Sequence, residues 1–430
     1  MAIEKIIDLL NSDKNFRYVL LTPCHYAIGN CAEEIYFGFL KARREGKKLM
    51  VFHLPELSGM FKYRWLNNHE IFDVDSDYRH FSTQNRIERL AQAGLIAYHM
   101  PLRALNRPFS KIARHPLTDH YLYPSIGPFT LWQPEASQDY FAWEIAERYD
   151  WRTQMQTYLP IRLRAEKQLN AEQIRQKLGL PRDVWFVCLH VREGGYHQDH
   201  AQSSVRNADI LNYVPAIEEI TKRGGWVIRL GDNTMKPLPA LKQVIDYPFT
   251  PWKSELMDLY LIQECQFYIG SQSGIWDIAV LFQKPLLMPN MCHWTMSYPP
   301  KEGDLGLLKH VYSHSRKRFL SVDELFHEPW EAQHFSGIGP DYHMEENTAE
   351  EIKTLVLEYL DRSTSIPAET NFQQAANTQR IAQAKQLFEK QMFARHRDDI
   401  YNKYRIASRV LGCGGTLGSH FLENCWKTSK

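Results

Sequence analysis

Between residues 184 and 288, short apolar runs alternate with segments of helical periodicity, and this alternation leaves few folds open. Val184-Trp-Phe-Val-Cys-Leu-His190, Trp226-Val-Ile-Arg-Leu230, Gln266-Phe-Tyr-Ile-Gly270 and Pro285-Leu-Leu-Met288 read as buried strands. Ile210 to Arg223, Met257 to Cys265 and Ser273 to Phe282 read as the helices between them. Strand and helix in steady alternation specify a doubly wound α/β unit with a parallel sheet.

A second unit of the same kind opens the chain. Tyr18-Val-Leu-Leu-Thr22 is strand-like, Pro23 to Asn30 is a loop containing Gly29, and Cys31 to Arg44 places Ile35, Phe39 and Ala42 on one helical face. Gly46 ends that helix and Leu49-Met-Val-Phe52 follows as a strand, completing a βαβ unit. At 430 residues the chain exceeds one ordinary core. The expected division is an N-terminal α/β domain over 1–165, a second α/β domain over 166–345, and a helical tail over 346–430 packing across both. The boundary falls near 165–180, where Asn170-Ala-Glu-Gln is expected to open a capped helix ending at Gly179. Tail helices are expected at Ala349 to Leu360 and Thr378 to Tyr404. Residues 55–165 are rich in aromatics, prolines and histidines, with a helix expected near Thr83 to Ala93.

Composition narrows the function class. A formal net charge of +1 carries no basic field for nucleic acid. Seven cysteines at irregular spacing, with no CxxC pair, indicate neither a disulfide framework nor a zinc motif and suit a reducing compartment. Acidic residues interrupt the N-terminal amphipathic stretch, unlike a signal peptide. No run approaches the roughly 20 apolar residues that cross a bilayer. The expectation is a cytoplasmic protein, with peripheral membrane contact left open.

Ligands of an open parallel sheet bind at the carboxyl ends of its strands. Three such ends carry polar clusters: His190-Val-Arg192-Glu193-Gly194-Gly195, Gly231-Asp232-Asn233, and Gly270-Ser271-Gln272-Ser273-Gly274. Arg192 offers a permanently charged fork of donors suited to a diphosphate. Ser271, Ser273 and Gly274 are expected at a helix N-terminus, where hydroxyls and unpaired N–H groups make a phosphate cradle. Each residue alone has a plain structural use: Arg192 as an ion-pair partner, Ser273 as an N-cap, Asp232 in a turn, His190 as a core histidine. Their occurrence together at successive strand ends is what points to a ligand.

Leu189-His-Val-Arg192, the spacing from Asp258 to Gly274, and the Gly29-Asn30 loop resemble the fucosyltransferase superfamily that includes α1,6-fucosyltransferases and protein O-fucosyltransferases. The resemblance covers about half the chain. It implies a GT-B-like fold of two Rossmann-like domains and an inverting, metal-independent glycosyltransferase. The acceptor side would be N-terminal and the donor domain C-terminal. The donor would be a nucleotide-sugar co-substrate, GDP-linked if Asp258 accepts both guanine N–H groups. No further cofactor is implied, and the acceptor would be a glycan, lipid-linked or protein hydroxyl, as in polysaccharide biosynthesis. Arg192 would bind the β-phosphate, His190 and Asp258 the base, and Ser271 and Ser273 the phosphates. Gly29, Asn30, Gly194, Gly195, Asp232, Gln272 and Gly274 would line the donor pocket. His25 or Glu193 would serve as general base. Glu193-Gly-Gly-Tyr196 departs from the family, which carries a basic residue after the arginine, and Gly274 replaces a serine-type residue.

Three other readings compete. Asp73-Val-Asp75 offers paired carboxylates for a metal-dependent GT-A-type transferase. The α/β pairs also suit a non-catalytic sugar- or nucleotide-binding module, or an epimerase-like protein acting on UDP-sugars without an acceptor.

Overall fold

The computed structural model describes residues 18–23, 28–52, 68–72, 74–75, 78–81, 85–95, 97, 121–122, 156, 158–159, 161–195, 205–295, 297–328, 339–362, 365–393 and 412–427. His25 and Asp73 lie outside them.

Two parallel sheets organise the chain. In the first, β1 (Tyr18–Leu21) leads to α1 (Ile28–Arg44) and β2 (Lys48–Val51). With β4 (Tyr78–His80) and β5 (Tyr121–Leu122), the order is β4-β2-β1-β5, and every neighbouring pair is parallel. A helix at 86–95, α2, follows β4. A small antiparallel pair, β3 (Val74–Asp75) with β6 (Arg162–Leu163), lies apart, so the Asp75 backbone sits in a strand opposite Arg162.

The second sheet has seven strands. After α3 (Ala165–Lys177) come β7 (Phe186–His190), α4 (Val214–Lys222), β8 (Trp226–Arg229), β9 (Val244–Asp246), α5 (Glu255–Glu264), β10 (Tyr268–Gly270), α6 (Trp276–Leu281), β11 (Leu286–Met291) and β12 (Leu305–Leu308). The β7 side chains are buried along its whole length, as a parallel strand covered on both faces requires. A three-stranded antiparallel sheet follows, of β13 (His310–Ser313), β14 (Arg318–Phe319) and β15 (Tyr342–Glu345), with α7 (Val322–His327) inside its span. Helices α8 (Ala349–Leu360) and α9 (Asn371–Phe393), strand β16 (Thr416–Leu417) and helix α10 (Ser419–Cys425) close the description.

The seven strands run β16-β12-β11-β10-β7-β8-β9, all parallel. The winding reverses between β7 and β10, so the crevice for a ligand opens at their carboxyl ends. In the first sheet the reversal lies beside β1.

Several local expectations are corrected. Asn170 lies inside α3, which starts at Ala165 without a side-chain cap. Helix α9 starts at Asn371 rather than Thr378. Its signal is a reciprocal Thr370–Gln373 pair, in which the Gln373 N–H donates to Thr370 Oγ1 (3.3 Å) and the Thr370 N–H to Gln373 Oε1 (2.9 Å). Helix α6 starts at Trp276, after a turn over 274–275, so Ser271, Ser273 and Gly274 precede it rather than capping it. The tail is not purely helical, since β16 pairs with β12 and extends the second sheet. Among the described residues no helix is long and apolar enough to cross a membrane, and none of the described cysteines forms a disulfide.

Candidate active site

The two sheets meet where α1 begins. Gly29, in the first turn of α1, sits against Gly274 in the loop after β10: a Cβ built on Gly29 would lie 2.6 Å from the Gly274 carbonyl oxygen and 2.6 Å from Asp277 Oδ2. Only a residue without a side chain permits that approach. Other bonds join the same two units. The Asn68 amide donates to the Glu255 carbonyl (3.2 Å), the His69 N–H to Glu255 Oε2 (2.8 Å), and the Leu163 N–H to Gln263 Oε1 (2.6 Å).

Around this junction the strand ends are laced together. Ser271 Oγ accepts the Arg192 N–H at 2.9 Å, and Ser273 Oγ lies 3.1 Å from His190 Nδ1. The two serines therefore align β7 with the loop after β10. Gln272 does the same for the loop after β11: its Oε1 accepts from the N–H groups of Cys292 (2.9 Å) and His293 (3.0 Å), and its Nε2 donates to the His293 carbonyl (3.3 Å).

Cations gather on this frame. Arg192, buried just past β7, donates through Nη1 to the side-chain oxygen of Asn207. Lys309, buried just past β12, donates through Nζ to the Asn207 carbonyl at 2.7 Å. Arg229 at the end of β8 is fully buried; it donates to Asp246 Oδ1 (2.8 Å), to Glu193 Oε1 (3.2 Å) and to the Lys236 carbonyl (3.0 Å). Their field is felt at two reporters. His190 is pushed down to about 3, first by burial and then by Arg229 and Arg192. Burial raises the Cys292 thiol to about 12, while Lys309, Arg206 and Arg192 pull the other way.

Carboxylates flank the same edge. Asp258, in the first turn of α5, pairs with Lys253 Nζ, 2.5 Å from its Oδ1. Its carboxyl is raised by burial against the opposing pull of Lys253. Helix α5 starts here because Ser254 Oγ accepts the Met257 N–H (3.3 Å) and Glu255 and Asp258 follow in the first turn.

The sequence-derived candidates thus separate. His190, Arg192, Ser271, Gln272, Ser273, Gly274 and Gly29 converge, and Asn30 lies beside Gly29 in α1. Gly194 and Gly195 form the turn after Glu193, with Gly195 packed on Thr234. Asp232 accepts from its own turn, at the Thr234 N–H (2.8 Å). Glu193 turns to Arg229 and to the Lys236 N–H (2.8 Å), an ion pair rather than an open acceptor position. Sequence reasoning missed Arg206, Asn207, Lys253 and Lys309. Lys309 was findable, since it directly follows the apolar run Leu305–Leu308 at a strand end. Arg206 and Asn207 carry no periodic signal.

No family model matches the chain, and no curated protein matches it. Several solved structures show a likeness to it at low identity and low TM-score. The chain is similar to a glycosyl transferase of family 9 from Veillonella parvula, at 10% identity and a TM-score of 0.34, over 63% of this chain and 80% of that one. It is similar to the iron-containing dodecameric glycosyltransferase TibC from enterotoxigenic E. coli, at 13% identity and a TM-score of 0.31, over 64% of this chain and 60% of that one. It is also similar to the NodZ α-1,6-fucosyltransferase of Bradyrhizobium, at 12% identity and a TM-score of 0.29, over 62% of this chain and 92% of that one.

Proposed function

We propose that this chain is an inverting glycosyltransferase whose donor, a nucleoside-diphosphate sugar, lies across the carboxyl ends of β7, β10 and β11. The observation that carries the reading is that Arg192 and Lys309 meet at Asn207 beside the crevice at which the sheet winding reverses, with Arg206 and Arg229 adding to the positive field there. Glycosyl transfer places negative charge on a departing diphosphate. Fixed cations and N–H dipoles in a buried site stabilise that charge most where water is excluded. Arg192 is the residue assigned to the β-phosphate. Lys309, past the end of β12, and Arg206 reinforce it.

His190, held neutral by its surroundings, offers a hydrogen bond without adding charge. Asp258 favours a guanine base: a carboxylate has about four acceptor positions, and Lys253 occupies only part of them. The N-terminal unit supplies the acceptor side, with His25 as the assigned general base, and the acceptor is a glycan or glycoconjugate hydroxyl in the cytoplasm. No metal is assigned to the donor phosphates.

The test is calorimetric titration with GDP, UDP, ADP and CMP, with and without a chelator. GDP is expected to bind in both conditions and to lose its binding in Arg192→Ala. Binding of another nucleotide in its place would discard the guanine assignment and keep the donor site. Binding of none of the four would sink the reading.

A further inference from the structure

Away from the donor crevice, three elements far apart in sequence bring three different donor atoms to one point. His310 opens β13, Glu351 lies in the first turn of α8, and Cys425 ends α10. An imidazole nitrogen, a carboxylate oxygen and a thiol sulfur from these residues all lie within 4.8 Å of one another. His310 Nε2 stands 3.0 Å from each Glu351 oxygen. The point is well shielded, with the side chains of His310 and Glu351 10% and 18% exposed and Cys425 5% exposed.

We propose that His310, Glu351 and Cys425 form a zinc-class metal site. Mixed nitrogen, oxygen and sulfur donors suit a borderline ion that prefers tetrahedral geometry. Ligand atoms around tetrahedral zinc lie roughly 3.3–3.6 Å apart, so His310 and Glu351, now 3.0 Å apart, would exchange their direct hydrogen bond for the ion and separate slightly while the Cys425 sulfur closes in. On binding, the Cys425 thiol gives its proton to solvent and coordinates as thiolate.

The surroundings support this assignment in three ways. Glu351 Oε2 is already held by the Thr348 N–H (2.8 Å) and hydroxyl (3.0 Å), which orients the carboxylate toward His310. The His310 ring packs against Phe319 and Phe421, with centroids 6.2 and 5.9 Å away, which fixes its plane. A cavity of about 100 Å³ opens beside Glu351, lined by Thr354, Glu358, His420 and Phe421. Of the three ligands Glu351 alone borders that cavity, so solvent reaches the site from the Glu351 side, and three protein ligands leave one coordination position for a water. Spacings of this length form no sequence motif, which is why the cysteine pattern gave no sign of it. The ion would tie α10 to the strand that begins next to Lys309.

A plain alternative is a helix-capping His–Glu pair with an apolar cysteine beside it. The full chain, stripped with a chelator and dialysed against Zn²⁺, separates the two. One zinc per chain is expected, and Co²⁺ should give a tetrahedral visible spectrum with a thiolate charge-transfer band. Cys425→Ser should lose the band and the zinc. Glu351→Gln keeps the capping box, because glutamine serves at that position, and should weaken zinc at least about tenfold while circular dichroism stays unchanged. Absence of stoichiometric zinc from the wild-type chain, or zinc unaltered in both variants, would overturn the site. Neither result bears on the nucleotide titration.

Discussion

Gly29 and Gly274 hold the two α/β units in backbone-to-backbone contact, and the contact is unequal in its tolerance. A Cβ on Gly29 would meet the Gly274 carbonyl at 2.6 Å, whereas a Cβ on Gly274 would meet Gly29 N at 3.2 Å and Cα at 3.3 Å. Gly29→Ala should therefore destabilise the chain by about 1–3 kcal/mol, the usual cost of overpacking. Gly274→Ala should cost clearly less. Urea midpoints of the two variants check the order, and equal midpoints would mean that the junction gives way more easily than its spacing implies.

Arg192→Ala should remove leaving-group stabilisation worth about 3 kcal/mol, by analogy with the loss of one preorganised donor. Arg192→Lys should recover part of it, since charge is kept and the fork is lost. Steady-state rates with the donor identified by titration supply the measurement. A turnover unchanged in the alanine variant would remove Arg192 from the chemistry.

Ser271→Ala tests the frame rather than the charge. It leaves the Arg192 N–H buried without its acceptor, which costs about 1–3 kcal/mol. Nucleotide affinity should fall with stability. If stability falls and affinity holds, the serine serves folding alone.

Arg229→Ala should be among the most damaging substitutions. Two carboxylates, Asp246 and Glu193, lose a fully buried partner, and breaking a buried pair in this way costs about 3–5 kcal/mol. Glu193→Gln should cost much less, because Arg229 keeps Asp246. Similar thermal melts for the two variants would contradict this ranking.

Acid stability should carry a signature of His190. In the unfolded chain the imidazole titrates near about 6.5, and in the folded chain it is held to about 3. The folded value is the lower one, so the stabilising contribution is present above about 6.5 and is lost as pH falls from there through about 3. Denaturation midpoints should decline below pH about 6.5, and His190→Gln should make the decline shallower. An identical acid slope in the variant would mean that other groups set it.

The sequence made the alternation of strands and helices legible because a strand buried on both faces has to be apolar, as Phe186 to Leu189 are. Strand ends followed from the same pattern, which is why His190, Arg192 and the 271–274 loop were found. Helix starts were less legible. Ser271 and Ser273 look like helix-capping residues, yet the chain spends them bridging to Arg192 and His190, a tertiary demand that overrides local preference. Strand β16 was missed because two residues carry no periodicity. Asn207 was missed because its partners, Arg192 and Lys309, are set by the fold rather than by neighbours in sequence.

Strand β16 also bears on how the protein is made. The last strand of the seven is drawn from residues 416 and 417, beside a strand that ends at Leu308. Until the ribosome has released that stretch, the edge of β12, Leu305-Gly-Leu-Leu308, stands bare. A short apolar edge with unpaired N–H and carbonyl groups is a template for pairing with another chain. Synthesis therefore passes through a window in which the unfinished protein is open to self-association, and a chain cut before residue 412 would stay in that window.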